Sequence, residues 1–367
     1  MLLLLLLLLL LLLLAAPTGA GSSAGSPYPT AAAVTIDNRR PRTLRGSSAT
    51  LNGHDGSVRW WNGTYIYHAL AYDNCTEQAE GCSSHCATCC GYTLHHRVSV
   101  FTSPNLAQDS WVLAASDVVP VPVGPAPAGR GVIFRPKAVH SPRTGRWHLF
   151  WANDLATASS ASPFGPFESH GHINMTAGQA GDFDVFISPA TQTPYVAYTH
   201  FGVLRVEQLS PDLRSSTGRF VGGASLGPHN SQSEAPAMFE RQGIYYLLWS
   251  RFCCFCEEGS GVFVHTARHP LGPWSPQGDI GCRAGTEPHH SPLTVGCWGM
   301  EHERSITHSQ LSYVVQTRSG GYVFAGDRWQ QAPDRLKSHD PQVWLPLRFN
   351  GSGAVLPLRM VDKFQLP

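Results

Sequence analysis

The sequence predicts an all-β protein folded as a five-bladed β-propeller. A turn containing Gly or Pro, followed by an aromatic residue and a short apolar run, occurs at Asn62–Tyr67, Thr144–Trp151, Thr193–Tyr198, Gly243–Ser250 and Gly320–Ala325. The copies lie about 50 or about 80 residues apart, which suits four-stranded units with insertions. No amphipathic helix of convincing length interrupts them. A β-sandwich is the alternative, but five units of this size favour five blades.

Each hairpin turn predicts an inner strand just before it. We expect these strands near residues 52–58, 132–139, 182–188, 234–239 and 309–315. A second repeat supports this blade assignment, because Ser162–Phe167 matches His269–Trp274, with a looser copy at Ser103–Trp111. The propeller domain is expected to span residues 37–367, after a flexible segment over residues 21–36.

The N-terminus indicates entry into the secretory pathway. An unbroken leucine run from Leu2 to Leu14 is followed by small residues that suit cleavage, so residues 1–20 are interpreted as a signal peptide. The run is short for a membrane span. No Lys or Arg precedes it, which leaves a signal anchor as the alternative. We expect a protein that is secreted or resides in the secretory lumen, with no membrane contact after cleavage.

Ten cysteines, an even number, predict disulfide bonds in an oxidising compartment. They are Cys75, Cys82, Cys86, Cys89, Cys90, Cys253, Cys254, Cys256, Cys282 and Cys297. The loop from Cys75 to Cys90 is expected to be an insertion pinned to the propeller through residues 253–256. Zinc bound by Cys86 and Cys89 with His85, His95 or His96 is the alternative, and a disulfide-stapled loop is favoured over it.

Sequons and composition agree with an extracellular, glycan-binding protein. N-glycosylation is predicted at Asn62, Asn74, Asn174 and Asn350. The net charge of +1, with 14% charged residues, argues against nucleic acid as a partner and against a basic membrane-binding face. Ten Trp and eleven Tyr fit a sugar-binding surface, although most of them are expected in the blade cores. We expect a monomer that uses neither a cofactor nor a metal.

The segment Ser233-Glu234-Ala235-Pro236 carries the strongest chemical signal. It places one carboxylate at the entry of an apolar strand, and apolar surroundings raise the pKa of a carboxyl group. A raised pKa is what a general acid needs near neutral pH. The alternative is a structural glutamate that accepts a hydrogen bond from a backbone amide.

Motifs in four places together resemble those of the family 43 glycoside hydrolases, and most closely their exo-β-1,3-galactanase-like branch. They are Arg135–Val139 with Thr144–Trp147, Gly181–Phe186, Ser233–Pro236, and Ser309-Gln310 with Gly326–Trp329 and Val343–Leu347. The resemblance extends from about Asp37 to the C-terminus. It implies a five-bladed propeller that hydrolyses glycosidic bonds with inversion, by an acid on one side of the sugar and an activated water on the other.

The resemblance also implies roles for individual residues. Glu234 matches the general acid, and Asp182 matches the acidic residue that orients the substrate or tunes the acid. Of Asp182 and Asp184, only one is expected to face the channel, and the resemblance selects Asp182. Gln310 falls at the water-activating position, where a neutral amide is a poor base; the alternative is a hydrogen bond to sugar or water.

Predicted substrate-binding residues surround these three. They are His54, Arg135, Asp327, Arg328 and Trp329. For four of them the alternative is a structural role: a buried histidine for His54, an ion pair between Asp327 and Arg328, and core packing for Trp329.

Two departures from the branch bear on specificity. Phe134 stands where a Glu usually precedes Arg-Pro-Lys, and Ala69-Leu70 stands where the first inner strand usually ends in Gly-Glu. The sequence thus supports a secreted hydrolase acting on galactose- or arabinose-containing polysaccharide or glycoprotein glycans. The alternative is a non-catalytic propeller of the same origin that binds carbohydrate or protein.

Overall fold

Five antiparallel sheets form the body of the protein in the computed structural model. The structure describes residues 33–72, 74–77, 96–119, 133–151, 154–226, 233–251, 259–281 and 305–366. Among these residues, helical geometry is limited to the 3₁₀ turns Gly223–Leu226 and Lys337–His339. No helix in the described ranges is long and apolar enough to cross a membrane.

Each sheet is one blade of a five-bladed β-propeller, as predicted. Blade 1 contains β2 (His54–Trp61), β3 (Thr64–Ala71), β4 (Arg97–Ser103) and β5 (Val112–Ala115). Blade 2 contains β6 (Lys137–Ser141), β7 (Arg146–Trp151), β8 (Ala156–Ser160) and β9 (Glu168–His172). Blade 3 contains β10 (Phe183–Ile187), β11 (Pro194–His200), β12 (Val203–Leu209) and β13 (Ser216–Gly222).

The last two blades follow the same order. Blade 4 contains β14 (Ser233–Arg241), β15 (Ile244–Arg251), β16 (Phe263–Ala267) and β17 (Ser275–Asp279). Blade 5 contains β18 (Gln310–Gln316), β19 (Tyr322–Asp327) and β20 (Gln342–Leu347). A two-stranded ribbon joins β1 (Thr35–Asp37) to β21 (Lys363–Gln365).

The five predicted hairpin turns all connect the first and second strands of a blade. The first strands β2, β6, β10, β14 and β18 therefore lie innermost, near the predicted positions. Blade 2 differs most from the prediction, because its inner strand begins at Lys137 rather than near residue 132. Arg135 has left-handed backbone geometry and Pro136 has no N–H to donate, so neither continues a regular ladder.

Blade 5 has three strands among the described residues, whereas four were predicted. The N-terminal segment lies against its last strand, where Asn38 Nδ2 donates to Trp344 O at 2.8 Å and Trp344 N donates to Asn38 Oδ1 at 2.9 Å. Ile36 is fully buried. Residues 35 and 36 thus belong to the folded domain, which begins before the predicted boundary at 37.

The second sequence repeat marks equivalent connections in blades 2 and 4. Both copies lie between the third and fourth strands, and both contain a cis Gly-Pro bond, at Gly165-Pro166 and Gly272-Pro273. Each glycine has φ of 81°, a value that Gly adopts without steric cost. The aromatic residues that follow, Phe167 and Trp274, are buried between strands.

Apolar side chains fill the spaces between blades in five clusters. One cluster, for example, joins blades 4 and 5 through Tyr246, Leu248, Leu311 and Phe324. Because each blade buries its faces against both neighbours, the ring is held by side-chain packing between sheets and leaves the inner strands facing a central channel.

Candidate active site

The inner strands of blades 1, 2 and 4 enter the channel through the same unusual backbone. Asp55, Arg135 and Ala235 have φ of 54°, 49° and 50°, a left-handed geometry that residues other than Gly rarely adopt. In blades 1 and 4 the strand register also shifts here, next to His54 and Glu234. Bulges and left-handed residues re-aim side chains and concentrate at functional sites.

Carboxylates from the neighbouring blade hold two of these left-handed residues. Asp55 N donates to Asp327 Oδ2 of blade 5 at 2.9 Å, and Ala235 N donates to Asp182 Oδ2, at the entry of blade 3, at 2.9 Å. Left-handed geometry costs a non-glycine residue about 1–2 kcal/mol. Hydrogen bonds to a charged acceptor are strong enough to offset a cost of this size. The two aspartates thus maintain the shape of the channel entrance.

Glu234 and Gln310 meet directly at this entrance. Gln310 Nε2 donates to Glu234 Oε2 at 2.8 Å, although the two residues are 76 positions apart. Gln310 Oε1 accepts a hydrogen bond from Trp329 Nε1 at 3.0 Å. Glu234 is half-buried and Gln310 is buried. The residues predicted as the acid and as the water-activating group are therefore brought into contact.

Asp182 lies beside this pair. Its Oδ1 accepts a hydrogen bond from Arg135 Nε at 2.9 Å, and its Oδ2 contacts the backbone N–H of Ala235, the residue after Glu234. Its side chain keeps 16% of its surface exposed. The three predicted catalytic residues thus converge at the entrances of blades 3, 4 and 5.

Asp184 also faces the channel, so the prediction that only Asp182 does so is wrong. Residues two apart on a strand share a face. Asp184 Oδ2 accepts a hydrogen bond from Met238 N at 2.8 Å, further along the same strand of blade 4. The two aspartates together tie blade 3 to blade 4.

Arg135 is the main cation of the site. It contacts Asp182, lies 3.7 Å from Asp55 Oδ1, and donates from Nη1 to Leu311 O at 3.3 Å. Burial by itself lowers the pKa of Arg135, but the carboxylates of Asp182 and Asp55 outweigh burial and raise this pKa above its ordinary value. Burial raises the pKa of Asp55 to about 6, although Arg135 opposes the shift.

Lys137 joins the inner strand of blade 2 to those of blades 1 and 5. Its buried ammonium group donates to Gly56 O and Ser312 O at 2.6 Å each, and to Asp55 O at 3.1 Å. Burial lowers the pKa of Lys137 to about 8. Gly56 is required here, since a Cβ at this position would lie 1.9 Å from His68 O.

His54 and Asp327 form a fully buried pair behind the entrance. His54 Nδ1 lies 3.4 Å from Asp327 Oδ1, and Gln342 Nε2 donates to the same oxygen at 2.8 Å. Burial alone raises the pKa of Asp327, but contacts with His54 and Ser312 outweigh it and lower this pKa. The predicted ion pair between Asp327 and Arg328 is absent from the described contacts: Arg328 Nε donates instead to Thr307 O at 3.1 Å.

Four of the five predicted substrate-binding side chains are buried by protein. His54, Arg135, Asp327 and Trp329 meet other side chains or backbone, and Arg328 is half-buried. The structure therefore places them as the support of the entrance, and their contact with sugar stays a prediction. Asp55 and Lys137 were not predicted to have a role, although Lys137 lies inside the Arg135–Val139 motif and Asp55 inside the predicted first inner strand. Other supporting residues without a predicted role, Ser312, Lys337 and Gln342, lie outside the motifs of the family resemblance.

Comparison with known proteins agrees with this architecture. The family model described as glycosyl hydrolases family 43 matches residues 93–292, more than half of the chain. The chain belongs to glycosyl hydrolases family 43. No curated protein sequence gave a significant match.

Solved structures with the same fold include several galactan-degrading enzymes. An exo-β-1,3-galactanase from Phanerochaete chrysosporium has a TM-score of 0.66 at 19% identity, covering 91% of this chain and 68% of that one. An exo-β-1,3-galactanase from Clostridium thermocellum has a TM-score of 0.66 at 20% identity, covering 90% and 66%. A family 43 β-1,3-galactosidase has a TM-score of 0.67 at 17% identity, covering 89% and 99%. The chain thus spans about two thirds of each galactanase.

The two departures lie in different environments of this family 43 fold. Phe134 is half-buried and directly precedes the left-handed Arg135, as Glu234 precedes Ala235. Leu70 is fully buried in the core between blades 1 and 2. It lies on β3, the second strand of its blade, so its expected place on the inner strand is corrected. Of the two positions that differ from the branch, Phe134 is therefore the one that lies at the channel entrance.

Predictions outside the channel have mixed outcomes. The four sequon asparagines, Asn62, Asn74, Asn174 and Asn350, are exposed, and their glycosylation stays a prediction. The disulfide bonds stay a prediction, because nine of the ten cysteines, all except Cys75, lie outside the described residues. The pairing with residues 253–256 and the zinc alternative at Cys86, Cys89, His85 and His95 also fall outside them. His96 Nδ1 lies 3.0 Å from Ile133 O.

A cavity of about 310 Å³ opens at the other end of the inner strands. Trp61, His140 and Phe239 form part of its wall, with Arg59 and Glu240. It contains neither Glu234 nor Asp182 nor Gln310, so the candidate chemistry belongs to the opposite entrance.

Proposed function

We propose that this chain is a secreted, inverting glycoside hydrolase acting on galactose- or arabinose-containing glycans of polysaccharides or glycoproteins. The observation that carries the proposal is the convergence of Glu234, Asp182 and Gln310 at one channel entrance. Inverting hydrolysis needs an acid for the glycosidic oxygen and an activated water on the opposite face, so in this proposal the bound sugar separates Glu234 from Gln310.

In this proposal Glu234 is the general acid that protonates the glycosidic oxygen. Asp182 fixes the orientation of Glu234, because its carboxylate accepts hydrogen bonds from Arg135 Nε and from the backbone N–H of Ala235. Gln310 orients the attacking water. An amide oxygen has two lone pairs, so Gln310 Oε1 can accept from Trp329 and from a water at the same time. Orienting a water by a glutamine side chain requires no proton transfer to the amide.

The galactose part of the proposal is supported by the solved neighbours. Structures with this fold include exo-β-1,3-galactanases, one of them solved with β-1,3-galactotriose, and a β-1,3-galactosidase solved with galactodeoxynojirimycin. Phe134 places an apolar ring at an entrance position where the branch carries a carboxylate. We therefore expect weak or no action on plain β-1,3-galactan and better action on a substituted or different glycan.

Secretion and the monomeric state are part of the same proposal. The leucine run and the four exposed sequons support passage through the secretory pathway. Expression of the full chain in eukaryotic cells should give protein in the medium that begins after about residue 20 and loses mass on removal of N-glycans. Light scattering on that protein should give the mass of one chain.

The decisive experiment is a time course of the purified protein on a glycan panel, followed by ¹H NMR. The panel contains β-1,3-galactan, arabinosylated and galactosylated galactans, and galactose- or arabinose-bearing glycopeptides. Release of a sugar whose first-formed anomer is opposite to that of the bond cleaved supports the proposal. Release with the same anomeric configuration contradicts inversion and leaves the hydrolase assignment intact.

A non-catalytic glycan-binding propeller is the second candidate, and Phe134 is the observation that favours it. This candidate predicts binding on a glycan array with no sugar released from any bound glycan. Both candidates predict retained binding in Glu234→Gln, so release of sugar by the wild type is the result that separates them.

A further inference from the structure

The amide of Gln310 has only one orientation that satisfies both of its neighbours. The indole N–H of Trp329 is a donor and never an acceptor, so the amide atom 3.0 Å from it is the oxygen. The other end of the amide, 2.8 Å from Glu234 Oε2, is then the nitrogen. An amide N–H can donate to a carboxylate oxygen or to the carbonyl oxygen of a neutral carboxyl group, so this orientation suits Glu234 in either ionisation state.

Trp329 is held rigidly enough to impose this orientation. Its ring is fully buried, and Lys337 Nζ lies 4.0 Å above the ring centroid. Lys337 in turn contacts Glu77 Oε1 at 2.8 Å and Asp340 Oδ2 at 3.4 Å, with all three side chains at most 2% exposed. The His54 ring centroid lies 5.4 Å from that of Trp329, on the side of blade 1.

The turn after Trp329 is fixed by the same ion cluster. The carboxylate of Asp340 accepts hydrogen bonds from the backbone N–H groups of Gln330, Gln331 and Ala332, at 3.0 Å each. The segment that carries Glu77 is tied to the same region, since Glu77 N donates to Arg335 O at 2.8 Å. A buried ion cluster therefore supports one side of the indole.

We propose that Trp329, held by Lys337, is a positioning residue that determines which oxygen of Glu234 carries the catalytic proton. The inference rests on the proposed role of Glu234 as general acid. With Gln310 Nε2–H facing Oε2, the proton of neutral Glu234 resides on Oε1, and in this proposal it is transferred from there to the glycosidic oxygen. A flipped amide presents its carbonyl oxygen to Glu234 instead, and the acid then donates its proton in a hydrogen bond to Gln310.

The test removes the N–H of Trp329 and follows the ionisation of Glu234. In Trp329→Phe the amide is free to flip, which stabilises the neutral acid in place of its carboxylate. We expect the basic limb of the kcat/KM profile to move upward by about one pH unit. We expect kcat to fall about 10–100-fold, because the proton is held by Gln310.

A matched control exists in the same blade. Trp344 is also fully buried and its Nε1 donates to a glutamine oxygen, Gln342 Oε1, at 3.2 Å. Trp344→Phe removes an equivalent hydrogen bond away from Glu234, so it should leave the basic limb in place. Movement of the limb in both variants would overturn the proposal, because a general loss of packing would then explain it.

A double-mutant cycle separates positioning from structure. Gln310→Met keeps the length of the side chain without the amide, so adding Trp329→Phe to it should cause no further movement of the limb. Additive effects of the two substitutions would contradict the proposal. If Trp329→Phe fails to fold, benzothienylalanine at position 329 keeps the bicyclic shape without an N–H and serves instead.

The orientation can also be measured without turnover. The side-chain ¹³C resonance of Glu234, assigned by its absence in Glu234→Gln, should titrate at a higher pH in Trp329→Phe than in the wild type. The same titration in both proteins would overturn the inference whether or not the protein hydrolyses glycans. A shifted titration in a protein that hydrolyses nothing would retain the inference about the amide and reject the proposed function.

Discussion

The entrances of blades 1, 2 and 4 share the same left-handed backbone geometry, but each has a different side chain just before it. In each, a left-handed residue at the start of the inner strand follows the side chain of interest: His54, Phe134 or Glu234. His54 is fully buried beside Asp327, and Phe134 is half-buried against apolar clusters. Glu234 is half-buried and contacts Gln310.

The comparison separates the scaffold from the chemistry. In blades 1 and 4 the left-handed residue donates a backbone hydrogen bond to a carboxylate of the neighbouring blade, although the preceding side chains, His54 and Glu234, differ. Only in blade 4 is the preceding residue a carboxylate, Glu234, with a polar partner from the next blade, Gln310. Only this entrance can therefore supply a catalytic proton. Blades 1 and 2 therefore shape the entrance, and the boundary between blades 4 and 5 carries the proposed acid.

The largest expected effect comes from removing the acid of blade 4. Glu234→Gln keeps the size of the side chain and loses the proton, so turnover should fall about 10²–10⁴-fold while fold and glycan binding are retained. The matched control is Glu240→Gln, at the other end of the same strand, which should leave turnover near wild type. Equal rates in Glu234→Gln and the wild type would remove Glu234 from the reaction.

Removing the support from blade 3 should have a smaller effect on the same reaction. Asp182→Asn weakens the hold on Arg135 and on the backbone beside Glu234, so kcat/KM should fall about 10–100-fold. Asp212→Asn, in an exposed turn of the same blade, is the control. If both variants kept wild-type kcat/KM, Glu234 of blade 4 would act without support from Asp182 of blade 3.

Blade 1 offers a test of stability rather than rate. Burial lowers the pKa of His68 to about 4, and its Nε2 lies 2.7 Å from Pro163 O. Below about pH 6.5 the unfolded chain binds a proton that the folded protein excludes, so this contribution is present above that pH and is lost as pH falls toward 4. It should reduce the free energy of unfolding by about 2 kcal/mol between pH 7 and pH 5.

Urea unfolding at the two pH values measures this effect. His68→Gln retains a donor for Pro163 O and should lose about 2 kcal/mol of the pH dependence. His172→Gln, at an exposed position, should not change it. An unchanged pH dependence in His68→Gln would show that this histidine titrates equally in the folded and unfolded states.

The smallest expected effect sharpens the comparison between blades 2 and 4. Phe134→Glu places a carboxylate before the left-handed Arg135, as Glu234 precedes Ala235. We expect the rate on plain β-1,3-galactan, relative to a substituted glycan, to rise about three- to tenfold. Phe134→Leu retains an apolar side chain and should leave that ratio unchanged. A ratio that does not move in Phe134→Glu would mean that blade 2 does not contact the distinguishing part of the glycan.

Much of the architecture could be predicted from the sequence because its determinants are local. Turn residues such as Gly63 and Gly243 adopt left-handed geometry at hairpins, and the aromatic and apolar run after each turn marks the second strand. The candidate acid could be predicted for a related reason. Glu234, Ala235 and Pro236 are adjacent in the chain, so their motif is readable without knowing which blade lies beside them.

The sequence by itself determined the five-bladed ring, the family and the short set of residues that can carry the chemistry. Only the tertiary structure decided their neighbours: Gln310 against Glu234, Trp329 behind Gln310, and Leu70 in the core rather than in the channel. The reason is that these contacts cross between strands and blades at bulges, where a shift of one residue turns a side chain to the opposite face. The strand register at these bulges depends on packing between all five blades, so a local sequence pattern does not predict it.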